Sequence, residues 1–367
     1  MNQTDFHFQP RDYEEAEEAV NTTIPTIAMA LYCIISVIGV IGNSLTIISI
    51  LINKKLKSIP NVYIGNLAAA DFVVCAVIAP FSAYLLTIDH TTIPSQVCTF
   101  IGALNIGLLG KTMFGLAAIA VNRYILLVRG SELYTRLYSR KNVALSVVVL
   151  WTMPVMLVLP ALLGFGQFGY NSLMGTCIFI SHDSLTYIYV QTMLHGVCVG
   201  PCTVITLFCY ISIIIHFRRT QNRLKMSARK CSAGNNYSKS SSTGVDYVTQ
   251  DSSKVEDYEL SSSGPSNNNS SSTVHIHTAK RNRASRRIVT NLCTVFVVFL
   301  CCWLPIVTIF TIDYHSKLPA SVYHIFFAVA VTNSCLNVFI YAGMNRAFRR
   351  TYCRLLTCRH NKVNSAF

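Results

Sequence analysis

Seven long apolar runs, almost free of charge, alternate along this chain with polar connections. They cover Ile24–Ile52, Asn61–Leu86, Gln96–Val121, Val143–Leu163, Leu185–Phe217, Ile288–Ile312 and Pro319–Ala342. Crossing a bilayer as a helix takes roughly 20 residues, and each run is long enough. In lipid every backbone polar group must be satisfied internally, and unbroken apolar runs of this length specify helices rather than barrel strands. The pattern predicts an all-α membrane protein, a seven-transmembrane helix bundle whose two chain ends lie on opposite faces.

Charge orients the bundle, because loops retained in the cytoplasm are rich in Lys and Arg. One set of connections carries Lys54, Lys55 and Lys57; Arg129, Arg136, Arg140 and Lys141; Arg218, Arg219, Arg223 and Lys225; Lys280, Arg281, Arg283, Arg286 and Arg287; and Arg346, Arg349, Arg350 and Arg354. On the other side Lys317 is the main cation, and the first 23 residues set Arg11 against Asp5, Asp12, Glu14, Glu15, Glu17 and Glu18. The N-terminus is expected outside and the C-terminus in the cytoplasm of a multi-pass plasma-membrane protein. The net charge of +14 then faces anionic lipid and protein partners. A chain that is 52% hydrophobic does not spend that charge on nucleic acid.

The chain divides accordingly. Residues 1–23 form an acidic extracellular tail with no cleavable signal pattern. Asn2 and Asn21 open N-glycosylation triplets, and Tyr13 sits among acids, where sulfation and a plain solvated tail are both open. Residues 24–217 hold the first five helices and 218–283 the third cytoplasmic loop. Within that loop residues 226–279, rich in Ser and Asn, cannot bury enough apolar surface to order and are expected to be disordered. His275 and His277 on such a loop make no metal site. Residues 284–343 hold helices six and seven, and 344–367 a short amphipathic eighth helix with its tail. Most of the 14 cysteines lie in or beside the helices as small hydrophobes. Cys98 and Cys177 face the oxidising side, which favours a bridge between them. Cys353 and Cys358 follow the last helix among basic residues, as palmitoylation candidates or plain thiols.

Point residues within the runs carry a resemblance. They are Gly42-Asn43; Asn66-Leu67-Ala68-Ala69-Ala70-Asp71; Asn122-Arg123-Tyr124, the Arg falling 25 residues after Cys98; Trp151; Pro201; Phe299 through Pro305 with Trp303; and Asn337-Val338-Phe339-Ile340-Tyr341. In this order and spacing the chain resembles rhodopsin-like (class A) G-protein-coupled receptors from end to end, with a seven-helix transporter or channel as the remote competitor. The resemblance implies that Arg123, with Asn122 and Tyr124, couples to a heterotrimeric G protein. It also implies that Phe299, Trp303 and Pro305 form the toggle of helix six, and that Asn337 and Tyr341 take part in activation. Arrestin and receptor kinases are further partners it suggests. Asn122 and Ser285 replace acids that would pair Arg123, so measurable basal activity is expected.

Asp71, the only acid deep in the apolar runs, is implied to anchor a polar cluster with Asn43, Thr112, Asn333, Ser334 and Asn337 that in many relatives holds sodium. Lys111, next to Thr112, is the only deep cation and puts that ion in doubt. Either it pairs with Asp71, directly or through water, or it lies on another face of its helix.

Within the family the signalling half is similar to that of melatonin receptors: Asn122-Arg123-Tyr124, Leu137-Tyr138-Ser139-Arg140-Lys141-Asn142, Val338 in place of the usual proline, and Asn345 to Arg350 with Tyr352. By analogy it points to a Gi/o-type partner. The ligand half departs, with Ala161 and Ser181 where melatonin receptors place Asn and Gln, so the likeness does not extend to melatonin as ligand. Asn105 replaces the Asp of amine receptors. Val331 stands where an opsin needs a Lys, which disfavours retinal. The expected cavity is walled by Asn105, Gln191, His195, Trp303, Phe310, Tyr323, His324 and Phe327, an aromatic and neutral lining that suits a small neutral or lipid-like ligand. The acidic tail leaves a basic peptide as the rival. No aqueous nucleophile–base set, metal spacing or phosphate loop points to an enzyme.

Overall fold

A computed structural model of the chain describes residues 10–180, 192–237, 293–313 and 317–357, with side chains from Thr23 onward apart from those of residues 90, 192–195, 224–225, 227–237 and 344. Seven helices among the described residues are long and apolar enough to cross a membrane: Thr23–Ile52, Ile59–Leu85, Ser95–Arg129, Arg140–Leu162, Gly196–Arg223, Cys293–Ile312 and Ala320–Gly343. We refer to them as the first to seventh spans. Glycosylation at Asn2 and Asn21, the tail acids, Ser285 and Cys358 concern groups outside the described residues or side chains.

Helix ends depart from the apolar runs in two places. The first helix begins at Pro10, before its apolar part, so part of the polar tail is helical backbone. The fifth continues to Tyr237, so residues 226–237, expected from composition to be disordered, are helical. Once a helix is nucleated in the membrane, each further residue adds a hydrogen bond at little cost, and Arg, Gln, Lys, Met and Ala all favour it. Beyond 237 the third-loop reading falls on residues outside the described ones. The chain forms two compact units, Met1–Ile211 with Ile288–Phe367, and Ser212–Arg287. Every site discussed below lies in the first.

Wide π-helical turns occur at Val74–Ile78, Ile125–Arg129 and Thr192–Val199, and the first and last of these come just before a proline, Pro80 and Pro201. Proline has no N–H and its ring pushes the preceding turn apart, so the ladder widens there. Lipid tails are as apolar as leucine, so spans associate through close packing at small residues. At Gly42 a Cβ would come within 2.8 Å of Val338 of the seventh span. Only glycine permits that approach.

Between the fourth and fifth spans an antiparallel hairpin pairs β1 (Gln167–Asn171) with β2 (Thr176–Ile180). It was not foreseen from the apolar pattern. The expected bridge is formed: Cys98 of the third span joins Cys177 of β2, with Cα atoms 5.2 Å apart. Thr99 donates to the Phe168 carbonyl at 3.1 Å, and the Ser82 and Thr176 hydroxyls meet at 2.7 Å. These ties fix the hairpin against the second and third spans. At the other, basic end the amphipathic helix Arg346–Leu356 starts where Asn345 Oδ1 accepts from the Ala347 N–H at 2.9 Å. Its Phe348 and Tyr352 are buried, and the Tyr352 hydroxyl meets that of Thr46 on the first span at 2.7 Å. Asn53 donates to Thr351 at 2.8 Å, while Cys353 stays exposed.

Candidate functional site

At the hairpin end, rings close over the bundle. Tyr323 and Phe327 of the seventh span pack in one apolar cluster with Met174 and Ile178 of the hairpin, Ile306 of the sixth span, and the flanking Trp303, Phe310 and Ile106. The Phe310 and Tyr323 rings meet edge to face at 5.8 Å, and Phe299 and Trp303 lie nearly parallel at 6.2 Å. So the structure brings Trp303, Phe310, Tyr323 and Phe327 together as the sequence grouped them. Asn105, one residue before Ile106 on the third span, is buried with its Nδ2 unpartnered. His324 Nε2 sits 3.2 Å from the Ser172 carbonyl, and its Nδ1 is buried without a partner. Gln191 and the His195 side chain lie outside the described residues.

The sequence reading missed Asp313, which follows the sixth span. Its carboxylate accepts from the Lys317 and Leu318 main-chain N–H groups at 2.8 Å each and from the Tyr323 hydroxyl at 2.7 Å. The Leu318 N–H, the Tyr323 hydroxyl and the Lys317 N–H hold the carboxyl below the usual carboxylate range. This clasp joins the end of the sixth span to the start of the seventh. An acid flanked by polar residues just past an apolar run was the only signal available.

Midway through the bundle, Asn337 donates to Asp71 Oδ2 at 2.8 Å, and Asn43 donates to the Ser334 and Gly39 carbonyls at 3.0 Å each. Asn43, Asp71, Ser334 and Asn337 thus knit the first, second and seventh spans. Thr112 and Asn333 are also buried. The direct Lys111–Asp71 ion pair entertained from the sequence is not formed. Lys111 instead donates to the main-chain carbonyl of Asn66 and lies 5.0 Å from the centre of the Trp151 ring. Trp151 in turn donates to Asn66 Oδ1 at 2.7 Å. The ammonium is held at the Asn66 carbonyl, which has a lone pair that helical bonding leaves open.

Toward the basic end, Asn122 is buried and approaches the Tyr134 hydroxyl of the short helix Ser131–Leu137 at 3.5 Å. Tyr134 stacks on Tyr138, with ring centres 4.8 Å apart. Arg123 has an unpartnered, buried Nε, and no carboxylate among the described residues forms an ion pair with it. Tyr124 meets Phe208 at 5.7 Å, Tyr210 meets Phe296 at 6.0 Å, and Tyr341 stacks on Phe348 at 5.8 Å. Tyr134 escaped the sequence reading because a tyrosine in a short polar connection carries no periodic signal.

Comparison with known proteins agrees with this layout. Residues 42–341 match the profile of the family described as 7 transmembrane receptor (rhodopsin family). The G-protein coupled receptor moody of Drosophila melanogaster is 28% identical over 93% of this chain and 54% of its own length, so the chain spans about half of that relative. Melatonin receptor type 1B-B of Danio rerio is 29% identical over 88% of this chain and 79% of its own, and human melatonin receptor type 1B is 26% identical over 90% and 79%. The crystal structure of squid rhodopsin superimposes with a TM-score of 0.70, covering 91% of this chain and 87% of that one at 17% identity, a likeness of fold.

Proposed function

Since the chain belongs to the rhodopsin family of seven-transmembrane receptors, we propose that it is a plasma-membrane receptor, N-terminus outside, for a small neutral or lipid-like ligand, coupled to a Gi/o-type heterotrimeric G protein. The observation that carries the ligand class is the cluster at the hairpin end: aromatic and aliphatic side chains packed together, with Asn105 Nδ2 and His324 Nδ1 buried and unpartnered beside them. Such a lining orients an uncharged molecule through a few polar atoms and holds it by apolar burial. The Gi/o partner rests on the likeness of the basic end to melatonin receptors. Melatonin itself is not proposed, because Ala161 and Ser181 stand where those receptors carry Asn and Gln. Arrestin and receptor kinases belong to the same reading, acting on the third loop and tail.

Arg123 is the coupling residue in this scheme, and Asn122 cannot hold it as a carboxylate would. Basal signalling above that of mock-transfected cells follows from this. A ligand screen on expressing cells, read through suppression of raised cAMP, tests the proposal. An active compound should act on wild type and fail on Arg123→Ala at matched surface expression. A response that survives Arg123→Ala refutes the coupling. The acids Asp5, Asp12, Glu14, Glu15, Glu17 and Glu18 favour one alternative, a basic peptide engaged by the tail. Replacing them with amides leaves a small ligand's potency unchanged, whereas a tenfold loss selects the peptide.

A further inference from the structure

Among the described residues, Asp71 and Lys111 are the charged residues buried as a whole, 0% and 1% exposed. A charge in a membrane interior is costly and persists only where something balances it. The Lys111 ammonium has three protons to donate. One goes to the Asn66 carbonyl, and the Trp151 ring face takes part of the charge. Neither partner is an anion. Asp71 spends Oδ2 on Asn337 and leaves Oδ1 buried without a donor. Asn66 lies five residues before Asp71 on the same span, ~7.5 Å along the helix axis. That is the offset of the two Cα atoms, about one and a half turns, so the ammonium held at the Asn66 carbonyl lies in the same stretch of the bundle as Asp71, where low-dielectric surroundings screen unit charges weakly.

The family resemblance implies a sodium ion at Asp71, and the oxygen atoms suit one: Asp71 Oδ1, Asn43 Oδ1, Asn333 Oδ1 and Asn337 Oδ1 are all buried without a donor. The charge does not suit it. With Lys111 present the core is already neutral, and a sodium ion would leave a net positive charge in a membrane interior. We propose that Lys111 is the permanent counter-ion of Asp71, a cation tethered to the third span that replaces an exchangeable one. Through Asn66 and Trp151 the same side chain also ties the third span to the second and fourth. Lys111 is therefore a positioning residue. A tethered charge cannot leave with a change of salt, so the polar core is indifferent to sodium. None of this depends on the ligand.

The test uses the full-length chain purified in detergent, with the thermal unfolding midpoint compared in equimolar sodium, potassium and choline chloride. Wild type should show the same midpoint in all three. Lys111→Gln removes the tethered charge and should gain a sodium-specific rise of about 3–5 °C, the shift expected when salt stands near ten times its dissociation constant. A purely structural lysine would give a lower midpoint and no sodium response. A sodium-specific rise in wild type that Asp71→Asn abolishes overturns the proposal, as does a folded Lys111→Gln that ignores sodium. Should Lys111→Gln not fold, Asp71→Asn and the double variant Asp71→Asn/Lys111→Gln decide the matter. The single change strands the ammonium, and the double should recover folded receptor at the cell surface at least threefold over it. No recovery overturns the pairing.

Discussion

At Gly42 the first and seventh spans approach closely, and adding one methyl there has a calculable effect. An alanine Cβ would lie 2.8 Å from both methyl carbons of Val338 and 3.1 Å from its Cβ. Ordinary carbon–carbon contact needs about 3.5–4.0 Å, so the spans must part by roughly 0.7–1.2 Å. The neighbouring Asn43 reaches the Ser334 carbonyl at 3.0 Å, and the same displacement carries that bond beyond useful range. Overpacking costs about 1–3 kcal/mol and the lost hydrogen bond about 0.5–1.5, so Gly42→Ala should destabilise by roughly 2–4 kcal/mol. For a domain of this size that lowers the apparent midpoint by about 5–10 °C, read by thermal unfolding of purified receptor. Val338→Ala removes both clashing methyls at a cost of about 1–3 kcal/mol by itself. In the Gly42→Ala background it should lower the midpoint far less than in wild type, because it also relieves the clash. If the two changes simply add, the contact is not the cause and the reasoning fails.

Other consequences follow from the same structure. Asp313→Asn should loosen the clasp at Tyr323; because the folded carboxyl sits below its ordinary range, its stabilisation is present above about pH 4 and is lost as pH falls through the lowered value. The midpoint difference between Asp313→Asn and wild type should accordingly hold steady from neutral pH to about 5 and shrink in stronger acid; a difference that grows there contradicts the assignment. Cys98→Ser opens a bridge of sequence separation 79. Chain entropy alone gives such a bridge about 4–5 kcal/mol, and spans already threaded through lipid reduce this to ~2–4. Surface expression and midpoint should fall for Cys98→Ser and Cys177→Ser alike, with the double variant no worse than either. Trp151→Phe keeps a ring beside Lys111 but leaves Asn66 Oδ1 without its donor, a loss of about 1–2 kcal/mol in unfolding measurements. Trp151→Ala should cost more, since the ammonium then loses its ring face as well; equal effects would remove the ring contact from the account.

Much of this protein is legible in one dimension because lipid imposes a length and a composition on whatever crosses it. The seven spans, the bridge from Cys98 to Cys177 and the receptor family all follow from runs and spaced single residues such as Asp71, Arg123 and Trp303. Contacts between side chains far apart in sequence obey no such rule. Asp71 and Lys111 stood out as opposite charges and suggested a salt bridge, yet where the lysine stem turned depended on an open carbonyl at Asn66 and a ring at Trp151, on two other spans. The clasp at Asp313, the hairpin over the ring cluster and the tie between Asn122 and Tyr134 are likewise products of packing. Solvation is a property of each residue and can be read along the chain. Which partner a buried polar atom finds depends on the neighbours folding brings to it, and only the assembled bundle decides that.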